Sequence, residues 1–194
     1  MNTESSPETS VRTRYSRIAV VLHWVIAALI VGNVLLAWSV DYLPDAAVRP
    51  VIDTHKSIGI TVLGLALLRL LWRAGHPPPP LPRSYPRWER TLAALGHAAL
   101  YLVIFALPLS GWLHDSAWKD APTHPMQWFG LFEWPRIALI ARLDAPVKES
   151  LHTVFGAIHS WSGYLLYGLL ALHVGAAFKH QWIDKQPELQ RMSL

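Results

Sequence analysis

Residues 154–178 read VFGAIHSWSGYLLYGLLALHVGAAF. The run contains no Lys, Arg, Asp or Glu. As a helix it would extend about 37 Å at 1.5 Å per residue, enough to cross a hydrocarbon core of about 30 Å. It is far too long for a strand. Its only ionisable groups of note are two histidines, His159 and His173, five residues in from either end. They stand fourteen residues apart. That is close to four helical turns, so both rings point to one face, roughly 21 Å apart along the axis. An ionisable side chain inside a membrane span is costly and by default marks a functional site.

Three further apolar runs have the same character: Ile18 to Val40, Val51 to Leu71 and Leu92 to Leu113. The sequence therefore predicts an all-α integral membrane protein, an antiparallel up-and-down bundle of four helices. Pro108 falls inside the third run and predicts a kink near its end. Of the 194 residues, 52% are hydrophobic and only 15% charged, and the mean hydropathy is +0.25. A soluble domain would carry about a quarter charged residues. The ten tryptophans suit membrane interfaces. The net charge is +4, but the basic residues flank the apolar runs, which argues for topology setting and against a nucleic-acid partner.

Eleven of the seventeen Lys and Arg residues lie in the N-terminal segment, at the connection between the second and third spans, and at the C-terminus. By the positive-inside rule both termini face the cytoplasm, and in a bacterium the long connection from Asp115 to Leu151 faces the periplasm. Its aromatic residues predict a segment lying along the membrane interface. The stretch HPPPPLPRSYP, residues 76–86, predicts an extended connection. The first residues, MNTESSPETS, lack the basic start and apolar core of a signal peptide. The expected organisation is a disordered cytoplasmic tail over 1–14, a transmembrane domain over 15–185 and a cytoplasmic tail over 186–194.

The chain has no cysteine. Thiolate haem ligation, iron–sulfur clusters and covalent haem attachment are thereby excluded. Histidine remains the obvious metal ligand. The antiparallel path sorts the span histidines into two layers: His23, His97 and His173 toward the cytoplasm, His55 and His159 toward the other side. Two stacked haems, each held by one histidine of the fourth helix, would fit. The second ligand of the outer haem would be His55. For the inner haem, spacing leaves both His23 and His97 open. Gly59, Gly163, Ala27 and Ala177 each follow a candidate ligand by four residues, where a small side chain leaves room for a flat macrocycle. His180 lies at the membrane edge and, with His97, could hydrogen-bond a quinone. His76, His114, His124 and His152 fall in loops, at a helix end or outside the spans and are not expected to be ligands.

Four segments extend this reading: RYSRIAVVLHW (14–24), THKSIGITVLGLALLRLLWR (54–73), LAALGHAALYLVIFALPLSGW (92–112) and IHSWSGYLLYGLLALHVGAAFKHQWIDKQPELQRM (158–192). With their ordered histidines they resemble the bacterial cytochrome b561 family, the four-helix dihaem type, over nearly the whole chain. The resemblance implies two non-covalent haem b groups in the inner membrane. It implies that His23 and His173 bind the cytoplasmic haem iron, that His55 and His159 bind the periplasmic one, and that His97 and His180 lie near a ubiquinone site. It further implies respiratory electron transport from a periplasmic donor, superoxide or a periplasmic redox protein, to ubiquinone. Enzymatic activity would then be that of a superoxide:ubiquinone oxidoreductase. Lys56, Lys148 and Arg142 could attract an anionic donor or simply anchor the interface. Two other readings compete: an electron-relay anchor for a separate dehydrogenase or hydrogenase, and a histidine-dependent membrane transporter.

Overall fold

A computed structural model describes residues 14–82 and 84–194. The expected tail over 1–14 therefore lies outside the described residues apart from Arg14, as do Arg12 and Arg83. Four long helices carry the fold: α1 (Arg17–Ser39), α2 (Asp45–Gly75), α3 (Arg87–Ser116) and, after the short α4 (Ala138–Ala141), α5 (Ala145–Phe178). All four are long and apolar enough to cross a membrane. A π-helical turn, Lys179–Ile183, extends α5, and a four-residue helix α6 (Glu188–Arg191) follows. The start of α1 meets the C-terminal segment, because the Tyr15 amide donates to the Arg191 carbonyl (3.2 Å) and the Trp24 indole to the Met192 carbonyl (2.8 Å). Both thus share one end of the bundle.

Two helices begin earlier than hydropathy suggests. α2 starts at Asp45, so Pro50 lies within it. The proline removes one intrahelical bond near the helix start. α5 starts at Ala145, after Asp144 at the N-cap position and with Pro146 in its first turn, a position proline favours. His152, expected outside the span, is therefore helical. The polar first turns of both helices hide them from an apolar-run criterion. The α3 helix runs unbroken past Pro108 to Ser116.

The bundle has a small core. Ile26, Ile30, Val62, Leu100, Val103 and Leu166 form its buried centre, with partners from all four long helices. Large apolar side chains such as Val31, Leu35, Leu102 and Leu172 face outward. In lipid that surface needs no burial. Helix termini are pinned by specific polar contacts. The Ser16 hydroxyl caps α1 by accepting from the Ala19 amide (3.3 Å) and also accepts from the Trp72 indole of α2 (2.9 Å). Arg69 of α2 donates to the Tyr101 hydroxyl of α3 and to the Ala19 carbonyl of α1, each at 3.2 Å.

The long connection after α3 folds into a cap on the end of the bundle away from the termini. Its two short strands, β1 (Gln127–Trp128) and β2 (Phe132–Glu133), pair antiparallel. The turn between them puts Phe129 at φ 49° and Gly130 at φ 70°, the positive values a tight hairpin needs. Glycine adopts them freely; Phe129 is held there by its amide bond to the buried Ser57 hydroxyl of α2 (2.9 Å). Trp128 also donates to Thr61 of α2 (3.1 Å). The cap thus lies along α2.

Candidate functional site

The histidines of the four long helices gather at two levels. At the cap end, His55 of α2 faces His159 of α5, with ring centres 6.1 Å apart and planes at 78°. At the terminal end, His23 of α1 faces His173 of α5, again at 6.1 Å, with planes at 73°. Two imidazoles on opposite sides of one iron, each bonded at about 2 Å, place their ring centres roughly 6 Å apart. Both separations match that requirement.

The tautomers at the cap end also suit metal binding. His55 Nδ1 lies 3.2 Å from the Asn33 carbonyl, and His159 Nδ1 lies 2.9 Å from the Leu107 carbonyl. A carbonyl oxygen only accepts, so each ring carries its hydrogen on Nδ1 and keeps the Nε2 lone pair free. Such a bond from the remote nitrogen to a carbonyl is the usual way a metal-binding histidine is oriented. A cavity of about 670 Å³ opens between the helices here and is lined by both rings together with Gly59, Gly163 and Leu166. Its volume falls in the range of small-molecule sites, about 300–1,000 Å³. The buried Asn33 Oδ1 in its wall has no partner among the described residues. The donor set and the cavity fit a haem.

At the terminal end His173 has two neighbours. His97 of α3 lies 5.4 Å from it, with planes at 81°, and donates from Nδ1 to the Ala93 carbonyl (2.6 Å). Geometry therefore brings His23, His97 and His173 together, as the layer assignment expected. His180 stands elsewhere. Its ring stacks on Tyr85 (4.5 Å, 17°) and its Nδ1 lies 2.7 Å from Asp184 Oδ2. No ring contact joins His97 to His180 among the described residues. Glu89, His180 and Asp184 converge closely enough to suggest a cation site, but the Lys179 ammonium already bonds both carboxylates (2.9 and 2.7 Å).

Lys56 is not a free attractor of anions. Its ammonium bonds Asp115 at 2.7 Å and Asp53 at 3.4 Å. Asp115 also takes Arg136 of the cap at 2.9 Å. Sequence reasoning missed this buried junction, and it missed the pairing of His114 with His152. Those two rings stack at 3.7 Å, and each Nδ1 donates to the other residue's carbonyl. Both line the cap-end cavity beside His159. The i, i+7 spacing of His152 and His159 was the available signal.

A family model described as prokaryotic cytochrome b561 matches residues 14–193. The chain belongs to the prokaryotic cytochrome b561 family. "Cytochrome b561 homolog 2" of Escherichia coli (strain K12) is 36% identical over 187 residues, covering 95% of this chain and 93% of that protein. "Cytochrome b561 homolog 1" of the same organism is 28% identical over 182 residues, 92% and 96% of the two chains. "Probable superoxide oxidase CybB" of Yersinia pestis is 30% identical over 188 residues, 92% and 95%. As a cytochrome b561 with four spanning helices, the protein is a multi-pass protein of the bacterial inner membrane, with haem b as its cofactor and electron transfer as its chemistry.

Proposed function

We propose that this cytochrome b561 holds two haem b groups, one between His55 and His159 and one between His23 and His173, and moves electrons through them across the membrane. The observation that carries the reading is the equal 6.1 Å separation of the two imidazole pairs. Haem supplies one-electron chemistry, and ligation from both faces leaves no open position on iron. The chain's own part is to fix the ligands, exclude water and control access at both ends. His55 and His159 are oriented by carbonyls of α1 and α3. His23 and His173 come from the start of α1 and the end of α5.

The donor enters at the cap end, taken as periplasmic, and superoxide is the donor this reading favours. Support comes from the relative named as a probable superoxide oxidase. The acceptor is a quinone at the terminal end, taken as cytoplasmic, close to His97 and His180. Two measurements test the whole. Haem quantification of the purified protein is expected to give two per chain, falling to one in His159→Ala and in His23→Ala but staying at two in His97→Ala. Rapid mixing with superoxide is expected to reduce the haems within the mixing experiment and to yield quinol when ubiquinone is present. A parent protein with one haem per chain would overturn the two-haem reading. Full haem content without reduction by superoxide would leave the relay reading, in which a separate subunit delivers the electron.

A further inference from the structure

His180 is gripped on two sides. The π turn closes with the Asp184 amide on the Lys179 carbonyl (3.0 Å), and such turns recur at functional sites. It brings Asp184 back under His180, so that carboxylate and Nδ1 meet at 2.7 Å. Tyr85 covers a face of the imidazole and is itself only 6% exposed. The phenol donates to Glu188 (2.9 Å), Glu188 bonds Arg191 (3.0 Å), and Arg191 donates to the Pro79 and Pro80 carbonyls (3.0 and 2.8 Å). Lys179 ties Asp184 to Glu89 of α3. The proline-rich connection with the start of α3, and α6 beyond the π turn, thus converge around one histidine at the end of α5.

A ring held this firmly at an ordinary interface would need no such scaffold. With Nδ1–H committed to Asp184, only Nε2 is available to a ligand. When the ring is protonated, Nε2–H is a donor and the Asp184 carboxylate stabilises the cation. Reducing a quinone to a quinol takes two electrons and two protons, one proton to each oxygen. The electrons come from reduced haem b, one per iron oxidised. The protons must come from the chain or from solvent.

We propose that Asp184 and Tyr85 are positioning residues that fix His180 as the proton donor to a quinone oxygen. This rests on the quinone reading given above. The imidazolium gives up Nε2–H to one quinone oxygen, an O–H bond forms there, and the neutral ring is reprotonated from solvent at that end of the bundle; the other quinone oxygen takes its proton from solvent at the same end. The groups facing His180 are Asp184 and Lys179 on its own element, Tyr85 and Glu89 around the start of α3, and Glu188 and Arg191 of α6. Asp184 is the one carboxylate bonded to the ring.

The experiment measures ubiquinone reduction by the reduced, haem-loaded protein against pH. The variants are Asp184→Asn, Asp184→Glu, Tyr85→Leu and His180→Gln, with haem content checked for each. Asp184→Asn is expected to lower kcat about tenfold or more, within the range of general acid–base effects, with KM for quinone little changed. Its rate profile against pH should differ from the parent's, because Nδ1 has lost its carboxylate partner, and Asp184→Glu should restore both rate and profile. Tyr85→Leu, which leaves the Lys179 ion pairs in place, should lower kcat without loss of haem. A slow His180→Gln beside an Asp184→Asn of unchanged rate and pH profile overturns the positioning role and leaves the quinone site. A slow Asp184→Asn with an unshifted profile, or one that Glu does not rescue, marks a merely structural contact and also overturns it. If Asp184→Asn loses haem, an unchanged Tyr85→Leu overturns it instead. Unchanged kinetics in His180→Gln overturn the quinone reading itself.

Discussion

A β-carbon at Gly111 would stand 3.2 Å from Cε1 and 3.3 Å from Nδ1 of His159. Gly111 of α3 therefore leaves the space in which the α5 imidazole turns its Nδ1 to the Leu107 carbonyl. A side chain at 111 pushes the ring by a few tenths of an ångström or more, which strains that bond and turns Nε2 from His55. Gly111→Val is accordingly expected to lower the haem content from two per chain to one. Pyridine haemochrome quantification checks this, and two haems retained in a folded variant would show that the ring has another place to sit.

Both proposed ligand pairs have nearly perpendicular planes, 73° and 78°. Perpendicular axial imidazoles make the two iron orbitals that bond with them nearly equal in energy. Low-spin ferric signals of strong axial anisotropy are therefore expected from both haems in electron paramagnetic resonance. A rhombic signal of the parallel-plane type would contradict the ring arrangement. His97→Ala should leave both signals in place, whereas His23→Ala should remove one.

Much of this was legible before any coordinates. Four charge-poor runs dictated the bundle, and the fourteen-residue interval from His159 to His173 dictated two levels on one helix face. The pairing of His55 with His159 followed from depth alone. Depth could not separate His23 from His97, because all three terminal-end rings do lie together. What escaped detection is tertiary and polar. Asp115 and Ser116 end α3 as ordinary polar residues, yet both are buried under the cap. Tyr85 and Asp184 are far apart in sequence, and only folding of the proline-rich connection against α6 brings them to one ring. The early starts of α2 and α5 were hidden because their first turns are amphipathic.

Asp115 holds Lys56 of α2 and Arg136 of the cap at once, with 6% of its side chain exposed. Removing one partner of a buried ion pair leaves uncompensated charge and costs about 3–5 kcal/mol. Asp115→Ala leaves Arg136 without a carboxylate and Lys56 with only the longer contact to Asp53 (3.4 Å), and a loss near the lower figure, about 3 kcal/mol, is expected. Unfolding in detergent, followed by haem absorption, measures it, and limited proteolysis of the cap should quicken in parallel. A variant as stable as the parent would mean that water, rather than Asp115, neutralises Lys56 and Arg136.

The Lys179 ammonium holds the Asp184 carboxyl below the usual carboxylate range; desolvation opposes it, and the bond from the His180 ring adds a lesser lowering. A depressed carboxyl stabilises the fold fully above its unfolded value, about 3.9 for Asp. That contribution fades as pH falls through the lower folded value. The difference in thermal midpoint between the parent and Asp184→Asn should therefore stay level between about pH 5 and pH 7 and close only below about pH 4. Scanning both proteins in the same detergent across that range checks the sign. A gap that closed on the way from pH 7 to pH 5 would mean the carboxyl titrates higher than the Lys179 ammonium allows, and the grip on His180 would have to come from Tyr85 alone.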